Sequence, residues 1–393
     1  MSNKTSNKTS IDHEDQPQAN NSFWDIIRYV SIIVLLAVGI WYYYSQKPLV
    51  LTAQETRGMT MGTDYSVKVA DFVKETDHRV WENIEVKIQQ RLDGIDRAMS
   101  TYRADSEVSR FNNSDSTDWF NVSKDTAEVI HTALEISRLT EGAFDITVSP
   151  LVDLWGFGAN QQADLTFKDL EEKTIRIKPK IGYDKLEVRL QPPAIKKSIP
   201  ELRIDLSAIA KGYAVDCVAI LLEENGFANF MVEVGGEVRC RGYKGISSNY
   251  KATSHNWIIG IEKPFIVSPD GFSGLQRKLP INDLALATSG DYQSYREING
   301  VRYSHFIDPR TGFPTEYLAA GEPKPVERLG SVSVITERCI HADAWATAFF
   351  VLGEHKGLEL AEKHGIAVLF LFRTEQKDQP VREAASTTFP KGE

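Results

Sequence analysis

The stretch Asp205-Leu-Ser-Ala-Ile-Ala-Lys-Gly-Tyr-Ala-Val-Asp216 lies near the middle of a 393-residue chain. Its lead-in alternates apolar with polar positions at Leu202, Ile204 and Leu206, which predicts a short strand. Small residues follow. Val215, Val218, Leu221 and Leu222 then recur at helical spacing as far as about Gly226. A strand that turns through small residues into a helix with Lys211 near its start offers an anion site. The unpaired N–H groups of the first turn and the positive helix end face the same way there. The patterns G-x-x-x-x-G-K-[ST] and G-x-G-x-x-G are both absent, so the turn is neither a Walker loop nor a dinucleotide fingerprint. Read by itself, the stretch is equally a tight strand-to-helix turn that binds nothing.

Downstream, Phe230-Met-Val-Glu-Val234, Gly235-Gly236 and Glu237-Val-Arg-Cys-Arg241 carry a hairpin signature. Trp257–Glu262, Leu284–Tyr292, Ser331–Thr336 and Ile366–Phe372 read as strands, and Asp343–Leu352 as a helix. Upstream, Tyr65, Val67 and Val69 alternate as in a strand. Val80–Met99 and Ser123–Thr140 have the spacing of amphipathic helices. Between them, residues 100–112 suit a loop and a short helix, and Gly142–Val148 a turn into a strand or helix start. Residues 165–200 read as a polar, hairpin-like region. Hairpins are frequent among the alternating elements and no fixed-period repeat occurs. The fold class is therefore α+β, a single globular domain over residues 59–373 followed by a polar tail over 374–393.

Apolar residues make up 42% of the chain and charged residues 25%, as in an ordinary globular protein. The net charge of −9 argues against a nucleic-acid partner. Cys217, Cys240 and Cys339 lie far apart without C-x-x-C spacing, which argues for buried free thiols over a zinc site or redox pair. Residues 1–22 are polar and read as a disordered cytoplasmic tail. Residues 23–44 are long enough to cross a bilayer, which takes roughly 20 residues. Arg28 sits where it can snorkel, and Trp41, Tyr42, Tyr43 and Tyr44 where an interfacial belt belongs. No A-x-A-like site or lipoprotein cysteine follows. The segment reads as an uncleaved signal anchor joined to the domain by a tether over 45–58. The expected location is the bacterial inner membrane, single-pass, with the domain in the periplasm.

Two runs could carry chemistry. In His341-Ala-Asp-Ala-Trp-Ala-Thr347, Asp343 and Thr347 fall on one helix face, a turn apart. A carboxylate and a hydroxyl there are hard oxygen ligands that suit Mg²⁺; the alternative is an N-cap aspartate and a back-bonded threonine. Thr288-Ser-Gly-Asp-Tyr292 and Ser304-His-Phe-Ile-Asp-Pro-Arg-Thr-Gly312 place polar groups near a strand end, a setting for catalysis, although D-P-x-T-G is also ordinary turn chemistry. Gly235-Gly236 reads first as a turn, with close approach of a ligand as the second reading.

Taken in order, these runs resemble the FAD:protein FMN transferase (ApbE) family. The resemblance extends from Met61-Gly-Thr63 through Ser100–Asn112, Gly142–Val148, Leu154-Trp-Gly-Phe-Gly158 and Asp205–Asp216. It continues through Val234-Gly-Gly-Glu237, Thr288–Tyr292, Ser304–Gly312 and Asp343…Thr347. It implies a T-fold-like α+β domain and a Mg²⁺-dependent enzyme that splits FAD, its substrate, at the pyrophosphate. FMN passes to a threonine or serine of an acceptor protein, typically a subunit of a membrane redox complex, and AMP leaves. Carried over by motif, FAD contacts fall at Met61, Tyr102, Ala143, Phe144, Asp145, Asp205, Lys211 and Ile307. The metal falls to the side chains of Asp343 and Thr347 and the backbone oxygens of Ala208 and Ala346. Lys211 would add positive charge at the pyrophosphate. His305 is the candidate base, with Asp291 behind it. The alternatives are an FAD pyrophosphatase without an acceptor and a membrane-anchored flavin-binding protein.

Overall fold

The computed structural model describes residues 21–45, 54–70, 78–158, 165–244, 255–265, 274–291, 295–298, 301–315, 327–374 and 380–392. Two units are present, Met1–Val50 and Leu51–Glu393. The first contains helix α1 (Asn21–Ser45), whose residues 24–42 are all exposed. That stretch is long and apolar enough to cross a bilayer. Residues 1–20 of the expected tail and 46–53 of the expected tether lie outside the described residues.

The second unit begins with strands β1 (Gln54–Thr60) and β2 (Thr63–Val69) and helices α2 (His78–Met99) and α3 (Glu107–Asn113). Strand β3 (Phe120–Asn121) and helices α4 (Lys124–Leu139), α5 (Ser149–Leu154) and α6 (Phe167–Ile177) follow. Next come β4 (Leu186–Leu190), β5 (Pro193–Lys197), α7 (Ala210–Glu224), β6 (Phe230–Val234) and β7 (Glu237–Arg241). Strands β8 (Trp257–Glu262), β9 (Leu275–Ile281), β10 (Leu284–Gly290), β11 (Tyr295–Ile298), β12 (Val301–Ser304) and β13 (Glu327–Thr336) lead to α8 (Cys339–His364). The chain closes with β14 (Ala367–Thr374) and β15 (Val381–Ala385).

An antiparallel sheet in the order β1-β2-β6-β7-β10-β13-β14-β15 organises this unit. Strand alternation divides its side chains between two cores. Val67, Val232, Ala287, Val334 and Phe370 face helices α2, α4, α7 and α8. Val238, Leu286, Ile335, Leu369 and Leu371 face the β8–β9 hairpin through Ile259, Ile261 and Leu279. Both faces of β14 are covered, which is why it is a continuous apolar run. The three cysteines are buried free thiols, as their spacing predicts.

Four expectations need correction. Leu202, Ile204 and Leu206 are fully buried, yet they form no strand. The Asn112 side chain takes the place of a neighbouring strand: it accepts from Ile204 N at 2.8 Å and donates to Ile204 O at 2.8 Å. The region 165–200 contains α6 before its hairpin, started by a capping box between Thr166 and Asp169. The expected tether already contains β1 from Gln54. The expected polar tail contains β15, held by buried Val381 and Phe389.

Lys197 ties the loop walls of the unit together. It is fully buried, and its Nζ donates to the carbonyls of Phe111 (3.2 Å), Ser114 (2.6 Å) and Leu202 (3.2 Å). Lys197→Met preserves the bulk and leaves those acceptors bare, so urea denaturation should register a loss of about 2–4 kcal/mol. A midpoint equal to wild type would refute this anchoring role.

Candidate active site

Two hairpin turns and two helix starts converge at one end of the sheet. Met61-Gly62 joins β1 to β2 with φ values of 49° and 75°, and Gly235-Gly236 joins β6 to β7 with 59° and 98°. Positive φ at both central residues gives the turn whose twist matches flanking strands. Glycine takes that conformation freely, but Met61 does not, and such local strain is concentrated at functional sites. The turns are neighbours: Gly235 N donates to Asp64 O at 3.0 Å.

Helices α7 and α8 meet beside them with almost no side chain between. Gly212 N donates to Asp343 Oδ2 at 2.9 Å, so Asp343 is not the N-cap of α8 but a buried acceptor inside it. The cap comes from the next turn of α7. Asp216 is fully buried and accepts from Cys339 N (3.0 Å), Ile340 N (3.1 Å) and Arg239 Nη1 (2.8 Å). Its negative charge sits at the positive end of α8. These bonds set the rotation of α8 and hence the direction of Asp343 and Thr347. Thr347 Oγ1 is itself 3.2 Å from Ser289 Oγ on β10.

A cavity of about 610 Å³ opens between these elements. Tyr102, Ala143, Phe144, Asp145, Asp205, Ala208, Lys211, His305, Ile307, Asp343 and Thr347 all line it. Thus most of the residues singled out in the sequence come together in space, although they span the length of the domain. Tyr102 stands at the rim, 75% exposed, where a ring can stack on an incoming flat ligand. Asp145 is buried, and its carboxylate already accepts from Thr147 N (2.8 Å), Thr147 Oγ1 (2.7 Å) and Tyr183 N (2.8 Å). Asp205 Oδ1 accepts from Ser207 N at 2.9 Å, and burial moves its pKa upward. His305 contacts Phe306, with ring centroids 4.1 Å apart, and Phe157 at 6.2 Å.

Three expected residues lie elsewhere. Met61 packs against the helical core from its hairpin tip and does not line the cavity. Ala346 is fully buried on α8 between Asp343 and Thr347 and is also set back from the cavity. Asp291 is buried outside the cavity lining, where its carboxylate pairs with the Arg373 guanidinium.

Glu237, the first residue of the hairpin strand β7, is also part of the site. It is 2% exposed, and its Oε1 accepts from Lys211 Nζ at 2.5 Å. Burial pushes the carboxyls of both Glu237 and Asp343 upward, and the Lys211 ammonium pulls both back. Burial opposes the charge on Lys211, but the two carboxylates outweigh it and move its pKa up. One ammonium neutralises one carboxylate, and the other is left in a desolvated setting.

Those donors fit a hard cation. Glu237 Oε2 is buried with no hydrogen-bond partner among the described residues. The Asp343 carboxylate and the Thr347 hydroxyl line the same cavity on one helix face, with Ala208 also in its wall. Among the described residues no group of three or more His, Cys, Asp or Glu side chains forms a closed metal cage. Mg²⁺ needs none, because it binds through one or two carboxylates and completes its shell with water and substrate phosphates.

Known proteins resemble this chain in sequence and in fold. The family model described as the ApbE family matches residues 61–370. A Vibrio cholerae protein named FAD:protein FMN transferase is 39% identical over 84% of this chain and 90% of its own length. One of that name from Escherichia coli K12 is 35% identical over 86% and 91%. The solved flavin transferase ApbE of Vibrio cholerae superposes with a TM-score of 0.71 at 38% identity, covering 86% of this chain and 99% of that one. The apo flavinyl transferase ApbE of Pseudomonas stutzeri gives 0.69 at 29% identity, covering 86% and 95%. With the family model spanning most of the chain and relatives of 35–39% identity covered over 90–91% of their length, this chain belongs to the ApbE family.

Proposed function

We propose that the chain is an FAD:protein FMN transferase. It takes FAD as substrate and attaches FMN through a phosphoester to a threonine or serine of an acceptor protein. The observation that carries this reading is the convergence of Lys211, Asp343, Thr347 and His305 on one cavity that also holds exposed Tyr102. The names of the relatives support it.

In this reading Lys211 binds the pyrophosphate, and the walls around Ala143, Phe144 and Ile307 exclude water from it. Asp343, Thr347 and the backbone oxygen of Ala208 would hold Mg²⁺, which when bound would supply charge neutralisation at the phosphates. His305 accepts the proton of the acceptor hydroxyl as its oxygen forms a bond to the FMN phosphorus. The bond from that phosphorus to the bridging oxygen breaks, and AMP departs with the electron pair. Because Asp291 is engaged by Arg373, we place the base role on His305 alone.

We further place the catalytic unit outside the cytoplasmic membrane, in the periplasm, held by α1 as a single-pass inner-membrane anchor. The apolar, exposed stretch Trp24–Tyr42 supports this. The acceptor is then a subunit of a membrane redox complex exposed on the same side.

The test is incubation of the full chain with FAD, Mg²⁺ and a threonine-bearing acceptor domain of such a complex. AMP is measured by chromatography and covalent flavin by in-gel fluorescence. We expect equimolar AMP and labelled acceptor. FMN and AMP without label would replace the reading with an FAD pyrophosphatase. Intact FAD would leave only flavin binding.

A further inference from the structure

Glu237 has no part in the chemistry just described, yet it is a buried carboxyl group in the cavity wall, held against Lys211. It opens β7 directly after the Gly235-Gly236 turn, which fixes its backbone. Its Oε1 is 2.5 Å from Lys211 Nζ, and its Oε2 is buried without a hydrogen-bond partner among the described residues. A bare buried carboxylate oxygen is destabilising, so its presence in a cavity wall points to a group that arrives there. Asp343 faces the same lysine and interacts electrostatically with Glu237 as well. The cluster therefore sets two carboxyl groups against one ammonium.

That surplus changes what Lys211 can do. A lone lysine would attract a pyrophosphate by itself. Here the ammonium is already engaged by Glu237 and also faces Asp343, so an incoming pyrophosphate competes with two carboxyl groups for one lysine in a poorly solvated setting. We propose that Glu237 is a positioning residue that engages Lys211 and thereby makes FAD binding conditional on a divalent cation. The inference rests on the metal reading above. Glu237 Oε2, with Asp343, would help hold such a cation, whose charge would offset the carboxyl groups and leave the remaining Lys211 donors for phosphate. By linkage, FAD favours the cation as much as the cation favours FAD.

The experiment is equilibrium FAD binding to the full chain, read by flavin fluorescence, in EDTA and in Mg²⁺. For wild type, Mg²⁺ should tighten FAD binding on the order of tenfold or more. Glu237→Gln keeps an oxygen for Lys211 and removes the charge. It should bind FAD more tightly than wild type in EDTA, and Mg²⁺ should add little. A purely structural role would instead weaken binding in both conditions. That result, or a Mg²⁺ effect as large as in wild type, overturns the proposal. Should Glu237→Gln fail to fold, Lys211→Met gives the complementary test with Mn²⁺ as probe and no FAD. Freed of the ammonium, the two carboxylates should bind Mn²⁺ more tightly, as read by electron paramagnetic resonance; unchanged or weaker binding overturns the proposal. Failure of the metal reading looks different, because FMN transfer by wild type would then proceed undiminished in EDTA.

Discussion

Asp343→Asn is expected to lower FMN transfer by roughly 10³-fold while the protein melts within a few degrees of wild type. The two halves of this expectation have separate causes. The fold uses Asp343 only as an acceptor, through the 2.9 Å bond from Gly212 N. An asparagine oxygen can accept the same bond, so the α7–α8 contact survives. Burial already disfavours the Asp343 carboxylate, so a neutral amide relieves desolvation. The proposed chemistry, in contrast, calls for the charge. A hard cation at Thr347 and Ala208 would lose its one helical carboxylate, and Lys211 would lose one of the two groups that keep it protonated. Asp343→Ala is the poorer probe, since it leaves the buried Gly212 N–H unsatisfied at a cost of about 1–3 kcal/mol. AMP release at saturating Mg²⁺, measured beside a calorimetric scan, decides the matter. Wild-type turnover in Asp343→Asn would remove this residue from the metal assignment.

What could be read in the residues themselves depended on how local its cause was. Strand β2 and helix α2 each have one buried face, so Tyr65, Val67 and Val69 alternate and Ile84, Ile88, Leu92 and Ile95 recur at helical spacing. Asp343 and Thr347 could be placed on one face because a helix fixes the relation between positions four apart. The lead-in 202–206 has the pattern of a strand, but its neighbour is the side chain of Asn112, far back in the chain, and no alternation rule reports that. Strand β15 escaped because an edge strand buries little; of its residues only Val381 is buried. Helix α6 did leave a local signal, the Thr166–Asp169 capping box, which outweighs the polar composition around it. Glu237 was hidden for another reason. The Gly-Gly hairpin accounts fully for its neighbourhood, and its partner Lys211 lies on a different element, brought near only when α7 packs on the sheet.

The second large effect is expected at Gly212, where a single methyl group should damage both stability and turnover. A Cβ there would meet the Cys339 carbonyl carbon at 2.7 Å and Asp343 Cβ at 2.8 Å. Both distances lie far inside van der Waals contact, and the first is to backbone, which cannot rotate away. Nor can α8 slide freely, because Cys339 N and Ile340 N are fixed on Asp216 one turn along α7. Gly212→Ala therefore sets a helix-propensity gain of about 1 kcal/mol against overpacking of about 1–3 kcal/mol or more. The rigid backbone contact puts this site at the upper end, so a net loss of about 2 kcal/mol is expected, which for a unit of this size lowers the melting temperature by about 3 °C. Turnover should fall further than stability implies. Any separation of α7 from α8 carries Asp343 and Thr347 away from Lys211, and a displacement approaching 1 Å costs roughly 10²-fold in rate. Gly94 supplies the control. It is exposed on α2, and a Cβ there meets nothing within 4 Å. Gly94→Ala should raise stability by up to about 1 kcal/mol and leave turnover unchanged. Opposite signs for one substitution on two helices would follow from the α7–α8 contact alone. A Gly212→Ala protein that melts and turns over like wild type would mean that the two helices do not approach as closely as Gly212, Cys339 and Asp343 place them.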